Sequence, residues 1–264
     1  MGFWRPVRLK VEVAEDSMIK IKNKDEIDLM KKAGSIVSGT LSHLEKFIKP
    51  GIETIELDNI AEDFIRSKDA IPGFKGLYGF PATLCISVED EVVHGIPKNR
   101  VLSDGDIVGI DVGAIVDGYY GDHARTFEVG NVSDEKKELM KVTKKSLELG
   151  IEASRPGNTI GDIGFAIQNY VEDKGYSIVR ELVGHGIGKK LHEEPQIPNY
   201  GEKNTGPIIK EGMCFAIEPM INLGTEKIYT KSDNWTICTQ DGLPSAHFEH
   251  TIAITDEGPQ ILTA

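Results

Sequence analysis

A chain of 264 residues can bury roughly three quarters of its unfolded surface, ample for one large domain without the staples small domains need. Its 42 acidic against 30 basic residues leave a net charge of −12, which excludes nucleic acid as the main ligand, because phosphate contacts need surplus Lys and Arg. Cys85, Cys214 and Cys238 form neither an even framework nor a C-x-x-C pair, and there is no long apolar run or signal-like start. The sequence therefore predicts a reduced, cytoplasmic protein that does not enter the membrane.

Residues 1–17 read as a short leader before a single domain over 18–264, and Met1-Gly2 is no acylation signal because Pro6 stands where Ser or Thr is needed. Asn23 and Glu26 have capping-box spacing, and Ile27, Met30, Ala33, Gly34, Val37, Leu41 and Leu44 recur at helical spacing up to Pro50-Gly51. A second helix is predicted from about Thr54, with Leu57, Ile60, Ala61, Phe64 and Ile65 on one stripe. The irregular IPGFKGLYGFP then leads into the strand-like LCISV. IVGIDVGAIVDGYYGDHARTF reads as a hairpin closed at Asp117-Gly118, a two-residue turn that needs positive φ. Ser133 opens a helix to about Ser154, and Thr159 with Asp162 caps another to about Gly175. Strand-like runs return at MCFAIEP, IYT, WTICT and FEHTIAIT. Two helices followed by strands, twice over, predict an α+β fold of two similar halves around a shared sheet.

The hairpin carries the first chemical signal. If Val116 faces Tyr119, Gly113 faces Asp122, and alternation puts Asp111 on the same face. Asp111 and Asp122 are then diagonal neighbours, roughly 7–8 Å apart, and Gly113 is expected to leave room for cations between them. Ile107, Val108, Ile110, Val112, Ile115 and Val116 are apolar on both faces of the strand, which places the acids inside the protein, where like charges need a counter-ion.

Further along, GHGIGKKLHEEP sets His185 and His192 in a glycine-rich loop that fits neither a phosphate loop nor H-E-x-x-H. Glu218 ends the apolar MCFAIEP, and Glu249 stands among apolar residues in HFEHTIAIT. Alternation puts His247 on the face of Glu249, turns His250 away, and sends His123 to the face opposite Asp122. Four carboxylates and one imidazole suit Mn, Fe, Co or Zn, and more than two carboxylates suggest two cations. A metal pair of that kind supports hydrolysis. Lys136, Lys137, Lys141, Lys144 and Lys145 read as the solvated face of one helix, and Lys20, Lys22, Lys24, Lys31 and Lys32 form a second, loose cluster.

Taken together, EVVHGIP, GIDVGAIVDGYYGDHARTF, GHGIGKKLHEEP, AIEPM and HFEHTI resemble, in order and over 18–264, the motifs of the type I methionine aminopeptidases. The resemblance implies the pita-bread fold, two pseudo-symmetric halves with helices packed outside a curved antiparallel sheet. It also implies removal of the initiator methionine from nascent proteins and peptides, with a small second residue preferred. Two divalent ions per chain (Co, Mn, Fe or Zn) would be held by Asp111 as a terminal ligand, Asp122 and Glu249 as bridging ligands, and His185 with Glu218. A hydroxide between the ions, helped by Glu218 as proton acceptor, would attack the scissile carbonyl. His94 and His192 would bind and activate the substrate, and Phe74, Leu77, Phe80, Cys85 and Trp235 would form the methionine pocket, where aromatic rings suit a thioether. The implied partners are nascent polypeptide N-termini and, through the lysine groups, the ribosome surface; the implied state is a monomer with no sequence-specific nucleic acid. Leu77, Leu191 and His247 depart from common family residues at the pocket. Two rivals share the fold: an X-Pro aminopeptidase, usually carrying a substantial N-terminal domain, and a binding module that has lost its ligands.

Overall fold

The computed structural model describes residues 18–264; the leader expected over 1–17 lies outside the described residues. Helix α1 (Lys24–Leu44) begins at the predicted capping box: Asn23 Oδ1 accepts from Glu26 N–H at 3.0 Å, and Glu26 Oε2 accepts from Asn23 N–H at 2.9 Å. It stops short of Pro50, because Lys46 and Phe47 donate to carbonyls three residues back and tighten the chain into turns. Glu53 and Glu56 start α2 (Thr54–Arg66), Ser133 caps α3 (Asp134–Ala153), and Thr159 with Asp162 caps α4 (Ile160–Asp173).

Each helix pair packs on its own half. Leu41, Leu57 and Ile65 of α1 and α2 meet Leu84, Ile110 and Val112 from strands, while Leu139, Val142, Ile163 and Ile167 of α3 and α4 meet Phe215, Ile252 and Ile254. Fully burying one such aliphatic side chain is worth about 1.5–3 kcal/mol. Two separate cores, each under two helices, account for the repeated order of elements.

In the first half the Ile107–Val116 strand is central, flanked by Leu84–Val88, Tyr119–Glu128 and the short Ile71–Pro72. The hairpin register is the predicted one, Val116 opposite Tyr119 and Gly113 opposite Asp122, with Asp117 and Gly118 both at positive φ (49° and 83°). In the second half five strands run in the order Gly258–Ile261, His250–Thr255, Cys214–Ile217, Gly184–Gly186, Glu193–Ile197. Two three-stranded sheets complete the structure, and every pairing among the described residues is antiparallel.

Two expected strands form but are trimmed at the site. MCFAIEP pairs only over Cys214–Ile217, with a further strand starting at Met220; FEHTIAIT pairs only from His250, its first residues Phe248 and Glu249 lying in a gap after the short strand Ser245–His247. Pro219 supplies the cause, since it cannot donate to a ladder. Across the gap Phe248 N–H reaches the Pro219 carbonyl at 3.5 Å, so both strands leave one sheet and enter another at the same level. Glu218 and Glu249 sit at this paired break.

One lysine, Lys22, stands apart from the loose cluster expected near the start. Lys22 is buried, its ammonium 2.8 Å from Glu193 Oε2, so it ties the residue after His192 to the chain ahead of α1. On α3, Lys136, Lys137, Lys141 and Lys145 each pair with a glutamate, at 2.7, 3.8, 3.4 and 3.0 Å.

Candidate functional site

Five elements deliver the predicted ligands to one place. Asp111 and Asp122 come from the two hairpin strands, His185 from Gly184–Gly186, and Glu218 and Glu249 from the paired break. Ligand atoms of Asp122, His185 and Glu249 lie within 4.8 Å of one another, and all three residues are buried. His185 Nε2 is 3.7 Å from Asp122 Oδ2 and 3.5 Å from Glu218 Oε1. Asp111 lies beside Asp122, close enough for the two carboxyls to perturb each other. Asp111 and Glu218 are less completely buried than the other three, Glu218 with 15% of its side chain exposed.

Burial is the leading cause of every shift here. It raises Asp111 to about 7 and lifts Asp122, Glu218 and Glu249 well above the ordinary carboxylate range, the neighbouring acids adding to the rise of these three. It lowers His185 to about 3, with His192 contributing, so His185 is neutral. His185 Nδ1–H can donate to the Gly186 carbonyl at 3.0 Å, which leaves the Nε2 lone pair facing the acids. Asp111 Oδ1, Asp122 Oδ1 and Glu249 Oε1 are buried and have no hydrogen-bond partner. Orphaned carboxylate oxygens around a neutral imidazole are costly on their own and fit divalent cations with a preference for O and N donors.

His94, His192 and His247 surround this floor. Burial lowers His94 to about 4, helped by His192, and His247 to about 3, helped by His94; His192 is lowered by burial alone. The rings of His185 and His192 meet edge to face with centroids 4.5 Å apart, and His247 Nε2 is 3.9 Å from Glu218 Oε2. His94 has φ of 58°, a left-handed conformation uncommon outside glycine. As alternation predicted, His123 turns away from the acids: its Nδ1 meets the Glu249 carbonyl and its ring stacks on His250.

The five residues expected at the methionine pocket share one apolar cluster. Phe74, Phe80 and Cys85 are buried in it, and Leu77 and Trp235 pack against it half-buried. Trp235 meets Phe80 edge to face at 5.1 Å. Cys85 pairs with Asp111 across the strands, so this cluster abuts the acid floor. One expectation is corrected: the space over Gly113 is not free for ions, because a Cβ there would lie 2.5 Å from Phe74 Cε1. The glycine makes room for the Phe74 ring.

Sequence reasoning missed three contributors. Tyr78, 70% exposed at φ 51°, stacks near-parallel to His192 at 6.1 Å; a tyrosine between Leu77 and Gly79 gave no periodic signal. Asn199, fully buried, donates to the Glu218 carbonyl at 3.1 Å and leaves its own Oδ1 unpaired. Leu191, noted only as a departure, is buried in the pocket cluster.

A model of metallopeptidase family M24 matches residues 28–256. The chain is 54% identical to methionine aminopeptidase of Clostridium acetobutylicum over 247 residues, 93% of this chain and 99% of that one. The crystal structure of methionine aminopeptidase from Rickettsia prowazekii superposes with a TM-score of 0.92 at 45% identity, covering 94% of this chain and 100% of that one. Prolidase from Pyrococcus furiosus superposes less well, at a TM-score of 0.76 and 26% identity, and this chain covers only 66% of it. The fold is thus α+β of the pita-bread type. Among the described residues no helix is long and apolar enough to cross a membrane.

Proposed function

This chain belongs to metallopeptidase family M24 as a methionine aminopeptidase, a hydrolase, and on that premise we propose that it removes the initiator methionine from nascent proteins and peptides whose second residue is small. The convergence of four acids, three with orphaned buried oxygens, on a neutral His185 carries this reading. Asp111, Asp122, His185, Glu218 and Glu249 would hold two divalent ions, Co, Mn, Fe or Zn. When bound, such ions supply Lewis acidity that polarises the scissile carbonyl and lowers the pKa of water.

The chain's own side chains do the rest. Glu218, lying on the more open side of the floor, accepts the proton that water gives up on attack. His192 faces the carbonyl oxygen and stabilises its developing charge, and His94 holds the scissile amide nitrogen. Phe74, Leu77, Phe80, Cys85 and Trp235 receive the methionine side chain, and burial of Cys85 keeps it a thiol, a small apolar wall residue. A bulky second residue is rejected by crowding where Tyr78 overhangs His192.

Metal-loaded protein is expected to release methionine from Met-Gly-Met-Met and to lose rate as the second residue grows to Leu or Phe. Equal rates across that series would overturn the size preference, and proline release from Leu-Pro without Met-Gly cleavage would favour the X-Pro reading. The proposal places the enzyme in the cytoplasm as a monomer acting on emerging chains. A ribosome contact through α3 would have to exchange glutamate partners of Lys136, Lys137, Lys141 and Lys145, so cosedimentation unchanged by reversing these lysines would reject it.

A further inference from the structure

The two halves meet where the Tyr119–Glu128 strand passes residues 247–251, and the bonds across this seam are ordered around one point. At the centre Glu249 N–H donates to the Ala124 carbonyl at 2.9 Å. Two residues along, Thr251 Oγ1 accepts from Asp122 N–H at 3.1 Å and donates to the Asp122 carbonyl at 2.8 Å. Two residues the other way, Thr126 Oγ1 accepts from His247 N–H at 2.9 Å and donates to the His247 carbonyl at 2.8 Å. Each hydroxyl uses its donor hydrogen and a lone pair to satisfy both main-chain groups of the residue opposite. All four residues are buried.

The pattern repeats when the halves are exchanged. A first-half threonine grips a residue two positions before Glu249, and a second-half threonine grips Asp122 itself. Thr251 is in turn fixed from behind: its N–H donates to Thr263 Oγ1 at 3.2 Å and its carbonyl accepts from Leu262 N–H at 2.9 Å. The central bonds, Glu249 N–H to the Ala124 carbonyl and His123 Nδ1 to the Glu249 carbonyl, both fall on one residue and leave the strands free to pivot about it, and a one-residue slip would turn Glu249 to the opposite face. Two double-bonded grips on either side of that point prevent both.

We infer that Thr251 and Thr126 are positioning residues of the metal centre, holding Asp122 and Glu249, acids from different halves, at the spacing at which both meet the same ions. This rests on the assignment of Asp122 and Glu249 as shared ligands. Residues that orient metal ligands typically matter by about 10–100-fold in affinity or activity.

Thr251→Val removes the hydroxyl at nearly the same shape, and Thr251→Ser keeps it. Full-length protein, stripped of metal and titrated anaerobically with Mn(II) by calorimetry, is expected to bind about 10–100-fold more weakly as Thr251→Val. Its kcat on Met-Gly-Met-Met should fall in parallel with little change in KM, and Thr251→Ser should restore most of both. Thr251→Val with wild-type Mn(II) affinity and kcat overturns the inference even if the metal-free protein melts lower, since the hydroxyl would then serve folding alone. Should Thr251→Val not be recovered folded, Thr126→Val is read by the same criteria. Wild-type protein that takes up no Mn(II) would overturn the ligand assignment instead, a different failure.

Discussion

Asp122 and Glu249 lie at the floor of the site, buried, on or beside strands held by ladders and by the threonine grips. Tyr78 and Trp235, at its mouth, stand outside the sheets and long helices, one exposed at positive φ in the short 3-10 turn Leu77–Gly79 with Gly76 and Gly79 also at positive φ, the other half-buried on a loop. The difference reflects what each part handles. Unpaired charge in a dry interior is costly unless its counter-ion is met with good geometry, so the floor needs a rigid frame. An apolar pocket works by shape and tolerates substitution.

That contrast can be broken most sharply at the floor. Asp122→Asn removes a charge that both halves are built to present, and kcat/KM is expected to fall by roughly 10³-fold or more, read as methionine release at saturating Mn(II); near-normal turnover would defeat the shared-ligand scheme. His192→Ala, between floor and mouth, should lower kcat by about 10²-fold while Mn(II) binding is kept, and loss of metal would make His192 a ligand. At the mouth, Trp235→Ala should raise KM for Met-Gly-Met-Met by about tenfold through lost aromatic contact, with metal affinity unchanged; a fall in kcat alone would erase the distinction between the two regions.

The gentlest test is pH. Burial holds the floor carboxyls above their unfolded values, Asp111 at about 7, so the stability of the metal-free protein that comes from these protonated acids is present at low pH and lost as pH rises through their raised folded values. A cation replaces those protons, and His185, lowered to about 3, does not compete in this range. The Mn(II)-induced rise in Tm should therefore be a few degrees smaller at pH 5.5 than at pH 7.5. An equal rise at both would show that no proton leaves the floor when metal binds.

Local chemistry made much of this legible in the sequence. Capping boxes at Asn23 and Thr159 and the Asp117-Gly118 turn set their elements without distant partners, and period-two alternation then placed Asp111 and Asp122 on one face. What escaped depends on contacts between distant segments. Pro219 signals a break, but only its pairing with Phe248 shows that two strands change sheets together. Lys22 looked like one more member of a loose cluster until Glu193, far along the chain, covered it. Thr126 and Thr251 have nothing unusual about their neighbours in sequence, and their role exists only once the halves meet.

The central claim is that five residues from two halves hold two ions together, and a count of ions tests it most directly. Protein purified anaerobically, equilibrated with Mn(II) and analysed for metal per chain should carry two ions at saturation, while Asp122→Asn, folded by its melting curve, should lose at least one. Two ions retained by Asp122→Asn at wild-type affinity, or a wild-type chain that never exceeds one, would contradict it.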